Sequence, residues 1–328
     1  DVTVDDFEIT GATTLNTDVV VSSATSTFGD SITGAFDLDV TGDTSLGGDV
    51  TVNSLDIIGL TTLTADPLTV DAAESSFSGQ VTGGGLTITG NTDLGGGADL
   101  SSISVDGTTD LTGDVSTTGG QTYTGNVTLT GTANVLTSTA SGDVSFGGVL
   151  DGASDLTVST DGDTTFTGEV GGTSPLSSVT VTGTGTTFVD GGAINTVGSQ
   201  SFSGPVVMSA ATTFQGGGSL TLGDTLDAAT NALDIDFDDE STLIGDNLLN
   251  LSSLTVDGPI VASGTFSSTG SQTFNGSIEL AADMAVTTTN DQILVTGAIS
   301  GTGGLTLTAG NNQIDLGGNV NITGDLEL

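Results

Sequence analysis

The chain alternates apolar and polar residues in many short stretches. Examples are "LTIT" at 86–89, "VTLT" at 127–130, "VTVT" at 179–182 and "LTLT" at 305–308. A period of two residues is typical of a strand with one buried face, and Val, Ile and Thr favour a pleated surface. Dipeptides such as TG, GG, DG and GN follow these stretches and indicate turns. The pattern predicts an all-β protein, with at most one short helical stretch around 224–233.

Longer phrases recur along the chain. The phrase "GGQTYTGNVTL" at 119–129 returns as "GSQSFSGPVVM" at 198–208 and as "GSQTFNGSIEL" at 270–280, and the stretch 28–48 resembles 77–96. Internal repeats are the mark of architectures in which each repeat packs only against its neighbours. The repeated phrases therefore indicate a solenoid.

Aromatic residues mark a shorter repeat inside these phrases. Tyr123, Phe146, Phe166 and Phe188 follow one another at intervals of 20–23 residues. One coil per interval predicts a parallel β-helix, which would be one continuous solenoid over residues 1–328. About 15 coils, each rising by about 4.8 Å, would make a rod of roughly 70 Å. The alternative is a row of antiparallel sandwiches. No unit of about 100 residues with a Pro-rich linker supports it, and the chain has only 4 prolines.

The repeated phrase predicts a corner of the coil. Gly119 and Gly120 turn the chain, Tyr123 packs inward, and Phe202 and Phe274 take the place of Tyr123 in the later copies. We also expect Gln121, Gln200 and Gln272 to form hydrogen bonds with neighbouring coils. Their separations of 79 and 72 residues prevent them from stacking on one another.

The charge of the chain has one sign. It carries 41 Asp and Glu residues and no Lys, Arg or His, for a formal net charge of −41. Binding to nucleic acid or to anionic membranes needs cationic side chains, so both are excluded as functions. No side-chain salt bridge can form, so every carboxylate must be solvated, hydrogen-bonded, protonated or matched by a dissolved cation. Without Lys or Arg there is no tryptic cleavage site, which would suit an exposed, extracellular protein.

This composition excludes several catalytic mechanisms. The chain lacks Cys as well as His and Lys, which removes Ser-His-Asp, Cys-His and Lys-based nucleophilic mechanisms. Paired carboxylates suffice for glycoside hydrolysis, and Asp238, Asp239 and Glu240 are the local candidates for a polysaccharide-active β-helix. Such sites usually enlist basic residues as well. We therefore expect a non-enzymatic protein.

The densest acidic stretch is "LDIDFDDES" at 233–241. On a strand, Asp234, Asp236, Asp238 and Glu240 would share one face, with Ile235 and Phe237 on the other. Carboxylate oxygens at this density suit Ca²⁺, which takes six to eight oxygen ligands. The alternative is a solvated outer face. The sequence thus gives a candidate calcium site at Asp234, Asp236, Asp238 and Glu240, with no other cofactor expected.

Two other acidic phrases contain Asp37, Asp39 and Asp43, and Asp161 and Asp163. Neither completes an EF-hand or the nonapeptide repeat of calcium-binding β-rolls. We expect these side chains to form Asx turns at coil corners.

Two segments resemble known repeats. Residues 117–172, "TTGGQTYTGNVTLTGTANVLTSTASGDVSFGGVLDGASDLTVSTDGDTTFTGEVGG", resemble those of giant bacterial surface exoproteins of the β-strand-repeat and filamentous-haemagglutinin-like kind. Residues 297–313, "GAISGTGGLTLTAGNNQ", resemble the autotransporter-associated β-strand repeat. The resemblance implies a secreted, right-handed β-helical rod that serves as a stalk, adhesin or filament.

The first and last phrases, "DVTVDDFEITG" and "NVNITGDLEL", look like ordinary coils rather than caps. Solenoid ends without caps template further strand pairing. We expect the rod to continue in a longer chain or to stack end to end with copies of itself, with divalent cations as bridges. The expected function is that of a building block of a cell-surface fibre, with extracellular matrix components as further partners. Alternatives are the stalk of a giant adhesin and, because of the Thr-x-Thr strands, an ice-binding protein.

Overall fold

A computed structural model describes residues 1–237 and 242–328. In these residues every regular element is a β-strand. The strands stack in parallel in about 16 turns, so the predicted β-solenoid, or parallel β-helix, is confirmed. Two compact units divide the chain, residues 1–162 and 163–328. One continuous solenoid over 1–328 stays a prediction.

The first unit contains 24 short strands. They are β1 Val2–Thr3, β2 Asp6–Ile9, β3 Thr13–Thr14, β4 Val19–Phe28, β5 Ile32–Thr33, β6 Asp37–Leu46, β7 Val50–Thr51, β8 Ser54–Ile58, β9 Thr61–Leu63, β10 Leu68–Asp71, β11 Glu74–Phe77, β12 Val81–Gly83, β13 Leu86–Ile88, β14 Asn91–Leu94, β15 Ala98–Leu100, β16 Ile103–Val105, β17 Thr109–Leu111, β18 Val115–Thr117, β19 Gln121–Tyr123, β20 Val127–Leu129, β21 Ala133–Ser138, β22 Val144–Phe146, β23 Leu150–Asp151 and β24 Asp155–Ser159.

Each coil of the first unit gives one strand segment to each of three parallel stacks. Stack A holds β3, β5, β7, β10, β13, β16, β19 and β22. Stack B holds β1, the first halves of β4 and β6, and β8, β11, β14, β17, β20 and β23. Stack C holds β2, the second halves of β4 and β6, and β9, β12, β15, β18, β21 and β24.

The second unit has strands in its described residues from Thr164 onward. They are β25 Thr164–Phe166, β26 Ser178–Thr182, β27 Thr187–Val189, β28 Ala193–Thr196, β29 Gln200–Phe202, β30 Val206–Met208, β31 Thr212–Gly216, β32 Leu220–Leu222, β33 Leu226–Asp227, β34 Ala232–Asp236, β35 Thr242–Ile244, β36 Leu248–Leu251, β37 Ser253–Asp257, β38 Ile260–Ser268, β39 Gln272–Phe274, β40 Ile278–Thr288, β41 Ile293–Val295, β42 Ile299–Gly301, β43 Leu305–Thr308, β44 Ile314–Leu316, β45 Val320–Ile322 and β46 Leu326–Glu327.

These strands also form three parallel stacks. Stack D holds β25, β27, β30, β33, β36, the second halves of β38 and β40, β43 and β46. Stack E holds β26, β29, β32, β35, the first halves of β38 and β40, β42 and β45. Stack F is a sheet of seven strands, β28, β31, β34, β37, β39, β41 and β44.

The stretch 224–233, for which the sequence predicts at most a short helix, forms no helix. It contains β33 and part of β34, separated by a turn in which Ala229 and Thr230 have positive φ of 48° and 72°. A positive φ is incompatible with a right-handed helix.

The core consists of inward-facing residues that pair in register from coil to coil. In stack A, Val105 pairs with Tyr123 and Tyr123 with Phe146, and all three side chains are buried. The rings of Tyr123 and Phe146 stack with their centroids 5.6 Å apart. Tyr123 therefore faces inward as predicted, and so do Phe202 and Phe274.

Coil length varies more than the aromatic spacing predicts. The register advances by 17 residues from Ile88 to Val105 but by 23 from Tyr123 to Phe146. Phe188 pairs with Thr165 on the outer side of stack D, while its neighbour Val189 is buried. Phe188 therefore lies one residue before the inward-facing position of its strand, which Val189 occupies.

Glycines form a column at one corner of the second unit, because successive coils approach there too closely for side chains. A Cβ atom on Gly276 would clash with the carbonyl of Gly258, one on Gly297 with that of Gly276, and one on Gly318 with that of Gly297. Gly258 has a φ of 103°, which side chains other than hydrogen rarely allow. Glycine is therefore required at this corner in four successive coils.

Candidate functional site

The predicted calcium-binding strand lies partly in β34. Leu233, Ile235 and Phe237 are buried, while Asp234 and Asp236 alternate with them on the outer side. The alternation expected for this stretch therefore holds for these residues. Asp238 and Glu240 lie outside the described residues, as does Asp239.

Asp236 takes part in a row of polar side chains that crosses four coils of stack F. Gln215 donates its Nε2 to Oδ2 of Asp236 over 2.9 Å. Asp236 pairs in register with Asp257, and Asn275 donates its Nδ2 to Oδ1 of Asp257 over 2.5 Å. Amide groups thus flank two facing carboxylates on both sides. They supply part of the stabilisation that a lysine or arginine would give elsewhere.

Asp234 is less well satisfied. Its Oδ1 is buried and has no hydrogen-bond partner in the structure. Burial, and then the nearby carboxylates of Asp257 and Asp236, raise the pKa of Asp234 above its ordinary value. Within residues 1–237 and 242–328, no group of three or more carboxylates is placed to hold a metal ion. The calcium site at Asp234, Asp236, Asp238 and Glu240 stays a prediction.

The corner aspartates bind the backbone of the next coil. Asp43 accepts a hydrogen bond from Leu60 N over 3.1 Å, and Asp163 accepts one from Thr186 N over 2.9 Å. The Asx turns expected at these corners stay a prediction. These carboxylate oxygens reach the backbone of the next coil because consecutive coils stack only about 4.8 Å apart, the usual spacing of hydrogen-bonded strands.

This bridge from a side-chain oxygen to the backbone of the next coil recurs in both units. It joins Asp49 to Thr69 N, Asp66 to Gly85 N, Asn91 to Thr108 N, Asp114 to Val135 N, Asn126 to Val149 N, Asn247 to Thr265 N and Asp283 to Gly304 N, over 2.7–3.0 Å. Asp and Asn are interchangeable in this role, since both present an oxygen acceptor. Many of the carboxylates therefore serve as structural acceptors.

On the outer side of stack B, Asp56, Asp93 and Asp110 line a shallow groove. Asp39 pairs in register with Asp56, and Asp93 with Asp110, so like charges face each other one rung apart. Burial first, and then Asp56, Asp37 and Asp18, raise the pKa of Asp39. Burial, and then Asp110 and Asp56, raise the pKa of Asp93.

Asp37, at the start of the same strand as Asp39, behaves oppositely. Asn53 donates its Nδ2 to Oδ1 of Asp37 over 2.6 Å. Hydrogen bonds from the side chains of Asn53 and then Ser54 lower the pKa of Asp37. The environment of each carboxylate thus depends on its neighbour in the next coil.

The outer side of stack A carries hydroxyl groups. Thr69, Thr87, Ser104, Thr122 and Ser145 form one column in successive coils. In the next column outward positions alternate between Asp and Thr, and Thr89 donates to Asp71 over 2.7 Å and Thr124 to Asp106 over 3.4 Å. The alternating carboxylates interrupt the flat hydroxyl array that ice binding would need. The structure therefore gives no further support to an ice-binding function.

The three repeated phrases place a glutamine in the core in the same way. Gln121, Gln200 and Gln272 are fully buried. In each, Nε2 donates to a carbonyl six residues earlier, to a hydroxyl four residues earlier and to a carbonyl in the next coil. For Gln121 these acceptors are Val115 O, Thr117 Oγ1 and Thr137 O; for Gln200, Ile194 O, Thr196 Oγ1 and Gln215 O; for Gln272, Phe266 O, Ser268 Oγ and Thr287 O. The predicted bonds to neighbouring coils are confirmed.

No helix in the part of the chain that the structure describes is long and apolar enough to cross a membrane. In comparisons with known proteins, no family model, no curated protein and no solved structure matches the chain.

Proposed function

We propose that this protein is a non-enzymatic structural component of a cell-surface filament or layer, and that its coils add end to end to those of further copies. The observation that carries the proposal is the state of the coil formed by β44, β45 and β46. It repeats the inward apolar pattern of the coil before it, so a further coil can stack on it in the same way.

Paired side chains of these two coils differ in their exposure to solvent. Val320 pairs with Ile299 and Leu326 with Leu305. Ile299 and Leu305 are each 1% exposed, whereas Val320 is 36% and Leu326 44% exposed. Burying an aliphatic side chain of this size stabilises by about 1.5–3 kcal/mol. A further coil stacked on β44–β46 would bury both.

The coil formed by β1, β2 and β3 offers the matching edge. Val2 and Ile9 are half-buried there, while their partners Val21 and Phe28 in the next coil are buried. The strands of this coil pair with the following coil, so their other edge faces the opposite way along the parallel ladder. A parallel junction therefore joins the first coil of one copy to the last coil of another, and such head-to-tail contacts generate open fibres.

The rest of the surface supports a structural role. Most of its outward positions are Thr, Ser, Asp, Asn and Gly, and several of its carboxylates bind backbone amides of neighbouring coils. An extracellular location is supported by the resemblance to bacterial surface exoproteins and by the absence of tryptic cleavage sites. The chain lacks the His, Cys, Lys and Arg side chains on which most catalytic sites depend.

Sedimentation velocity of the 328-residue chain over a range of concentrations tests the proposal. We expect concentration-dependent association that the double substitution Val320→Asp/Leu326→Asp abolishes. The matched control is Ile58→Asp/Val197→Asp, which adds the same charge at apolar side chains that are 50% and 70% exposed elsewhere. If the chain stays monomeric in every condition, or if the control blocks association equally, end-to-end addition is wrong and a stalk role is left.

A further inference from the structure

The third repeated phrase contains the only Asn-Gly dipeptide of the chain, Asn275–Gly276. The other two copies have a hydroxyl residue before the same glycine, in Thr124–Gly125 and Ser203–Gly204. An asparagine that precedes glycine can react with its own backbone, because glycine has no side chain to shield its amide nitrogen from the carboxamide. The third copy of the corner therefore carries a chemistry that the other two lack.

The two groups that would react lie outside the strand ladders. Asn275 is exposed, and both residues lie in the turn between β39 and β40. The N–H of Asn275 donates to Val256 O over 2.9 Å, whereas the N–H of Gly276 has no acceptor among the residues that the structure describes. No backbone hydrogen bond therefore has to break before the nitrogen of Gly276 can attack.

We propose that Asn275 is a deamidation site of the folded protein. The nitrogen of Gly276 gives up its proton to solvent and forms a bond to Cγ of Asn275. The bond between Cγ and Nδ2 breaks, and Nδ2 takes a proton from solvent and leaves as ammonia. Water then opens the cyclic imide at one of its two carbonyls, which gives aspartate or isoaspartate. Water is the only reagent consumed, and the modification is independent of end-to-end addition.

The aspartate product would remove a donor from an acidic row. Nδ2 of Asn275 donates to Oδ1 of Asp257, and Asp257 pairs in register with Asp236. After the reaction a third carboxylate stands where the donor was, and the chain has no cationic side chain to offset it. Like charges on neighbouring rungs are destabilising. We therefore expect the aspartate product to weaken this corner.

The isoaspartate product would lengthen the backbone where successive coils are in contact. It adds one methylene carbon to the main chain directly before Gly276. A Cβ atom on Gly276 would overlap the carbonyl of Gly258, and one on Gly297 would overlap the carbonyl of Gly276. The coils on both sides thus leave no room for a longer turn, and we expect this product to destabilise the corner as well.

Mass spectrometry of the folded chain after incubation in mildly alkaline buffer tests the proposal. A glutamate-specific protease releases residues 241–279, in which Asn247 and Asn250 serve as internal references. Leucine follows both of these asparagines. We expect conversion of amide to acid to be at least about tenfold faster at Asn275, because only there is the attacking nitrogen unshielded. Asn275→Ser should abolish the mass shift, and circular dichroism verifies that the strands are intact.

The second copy of the phrase offers a matched variant. Ser203→Asn places an asparagine before Gly204, which the carbonyl of Gly185 crowds in the same way. We expect this variant to gain a second site of conversion. Absence of conversion at Asn275 in the folded chain overturns the proposal, and so does conversion at equal rates at the two reference asparagines. Incubation in urea gives the rate without the fold, so conversion confined to urea would show that the corner protects Asn275.

The converted chains carry an additional negative charge, so ion-exchange chromatography separates them from the unconverted chains. We expect the converted fraction to unfold at a lower temperature. Asn275→Asp should be less stable at neutral pH than Asn275→Ser, since both remove the amide donor to Asp257 but only the first adds a charge. Equal unfolding temperatures of the converted and unconverted fractions would contradict the structural effect of the modification.

Discussion

Tyr123 donates its hydroxyl to Oε1 of Gln121 over 3.2 Å, and both side chains are fully buried. In the two other copies of this corner a phenylalanine stands in place of the tyrosine. There Oε1 of Gln200 and Oε1 of Gln272 are buried with no hydrogen-bond partner. The hydroxyl of Tyr123 thus gives Gln121 a hydrogen bond that Gln200 and Gln272 lack at the same atom.

Tyr123→Phe should destabilise the fold. It would leave Oε1 of Gln121 buried without a donor, which costs about 1–3 kcal/mol. Urea unfolding followed by circular dichroism measures the change in the free energy of unfolding. An unchanged midpoint would mean that Gln121 is satisfied in another way.

The reciprocal substitution Phe274→Tyr should stabilise the fold, since the new hydroxyl would reach the unpartnered Oε1 of Gln272. We expect a gain of about 1 kcal/mol, as for one added hydrogen bond. The matched background is Gln272→Leu, which has no acceptor, and the gain should vanish there. The same gain in both backgrounds would contradict the explanation.

Thr109→Val should also raise stability. Thr109 is fully buried and its Oγ1 has no partner. Valine has nearly the same shape, so the substitution removes an unsatisfied hydroxyl at a gain of about 1 kcal/mol. The control is Thr92→Val in the preceding coil, because Thr92 accepts a hydrogen bond from Ser75 over 3.0 Å. Thr92→Val should lower stability, and equal effects of the two substitutions would contradict this assignment.

Gly276→Ala should be among the most damaging single substitutions in the chain. Its methyl group would overlap the carbonyl of Gly258, and both are backbone positions that cannot move apart without breaking rungs. We expect a loss of more than about 3 kcal/mol. Gly11→Ala is the control, since no atom lies within 4 Å of the added methyl group. Thermal unfolding of the two variants measures both losses of stability. Equal losses in the two variants would contradict the role of the glycine column.

The raised pKa of Asp93 should make the protein more stable in mild acid. The pKa of Asp93 is raised in the folded chain, so the folded state binds a proton more tightly than the unfolded state. Its contribution is therefore favourable at low pH and is lost as the pH rises through the folded-state pKa. Asp93→Asn should raise stability at neutral pH and reduce its decline with increasing pH. Urea unfolding at several pH values measures both, and an unaltered pH profile in this variant would contradict the prediction.

Much of the fold could be predicted from the sequence, because the two-residue period and the repeated phrases follow from local chemistry. The inward position of Tyr123 and the bonds of Gln121 to the next coil could be anticipated from the repeats. The alternation of Asp234, Ile235, Asp236 and Phe237 was also predicted correctly, since burial of every second residue is a property of one strand.

The relationships between coils could not be predicted in this way. Asp39 faces Asp56, and Asp93 faces Asp110, only because the intervening coils have particular lengths. Those lengths vary from coil to coil without a signal in the alternation pattern. The same irregularity places Phe188 on the outer side of its strand.

Because the chain contains no cysteine, disulfide trapping tests end-to-end addition most directly. Two single variants, Ile9→Cys on β2 in the first coil and Val320→Cys on β45 in the last, are mixed at a concentration at which the chain associates, and the mixture is then oxidised. The account predicts a disulfide between the two different variants far in excess of either variant paired with itself. Equal amounts of all three pairings, or no disulfide in material that has associated, would contradict head-to-tail stacking.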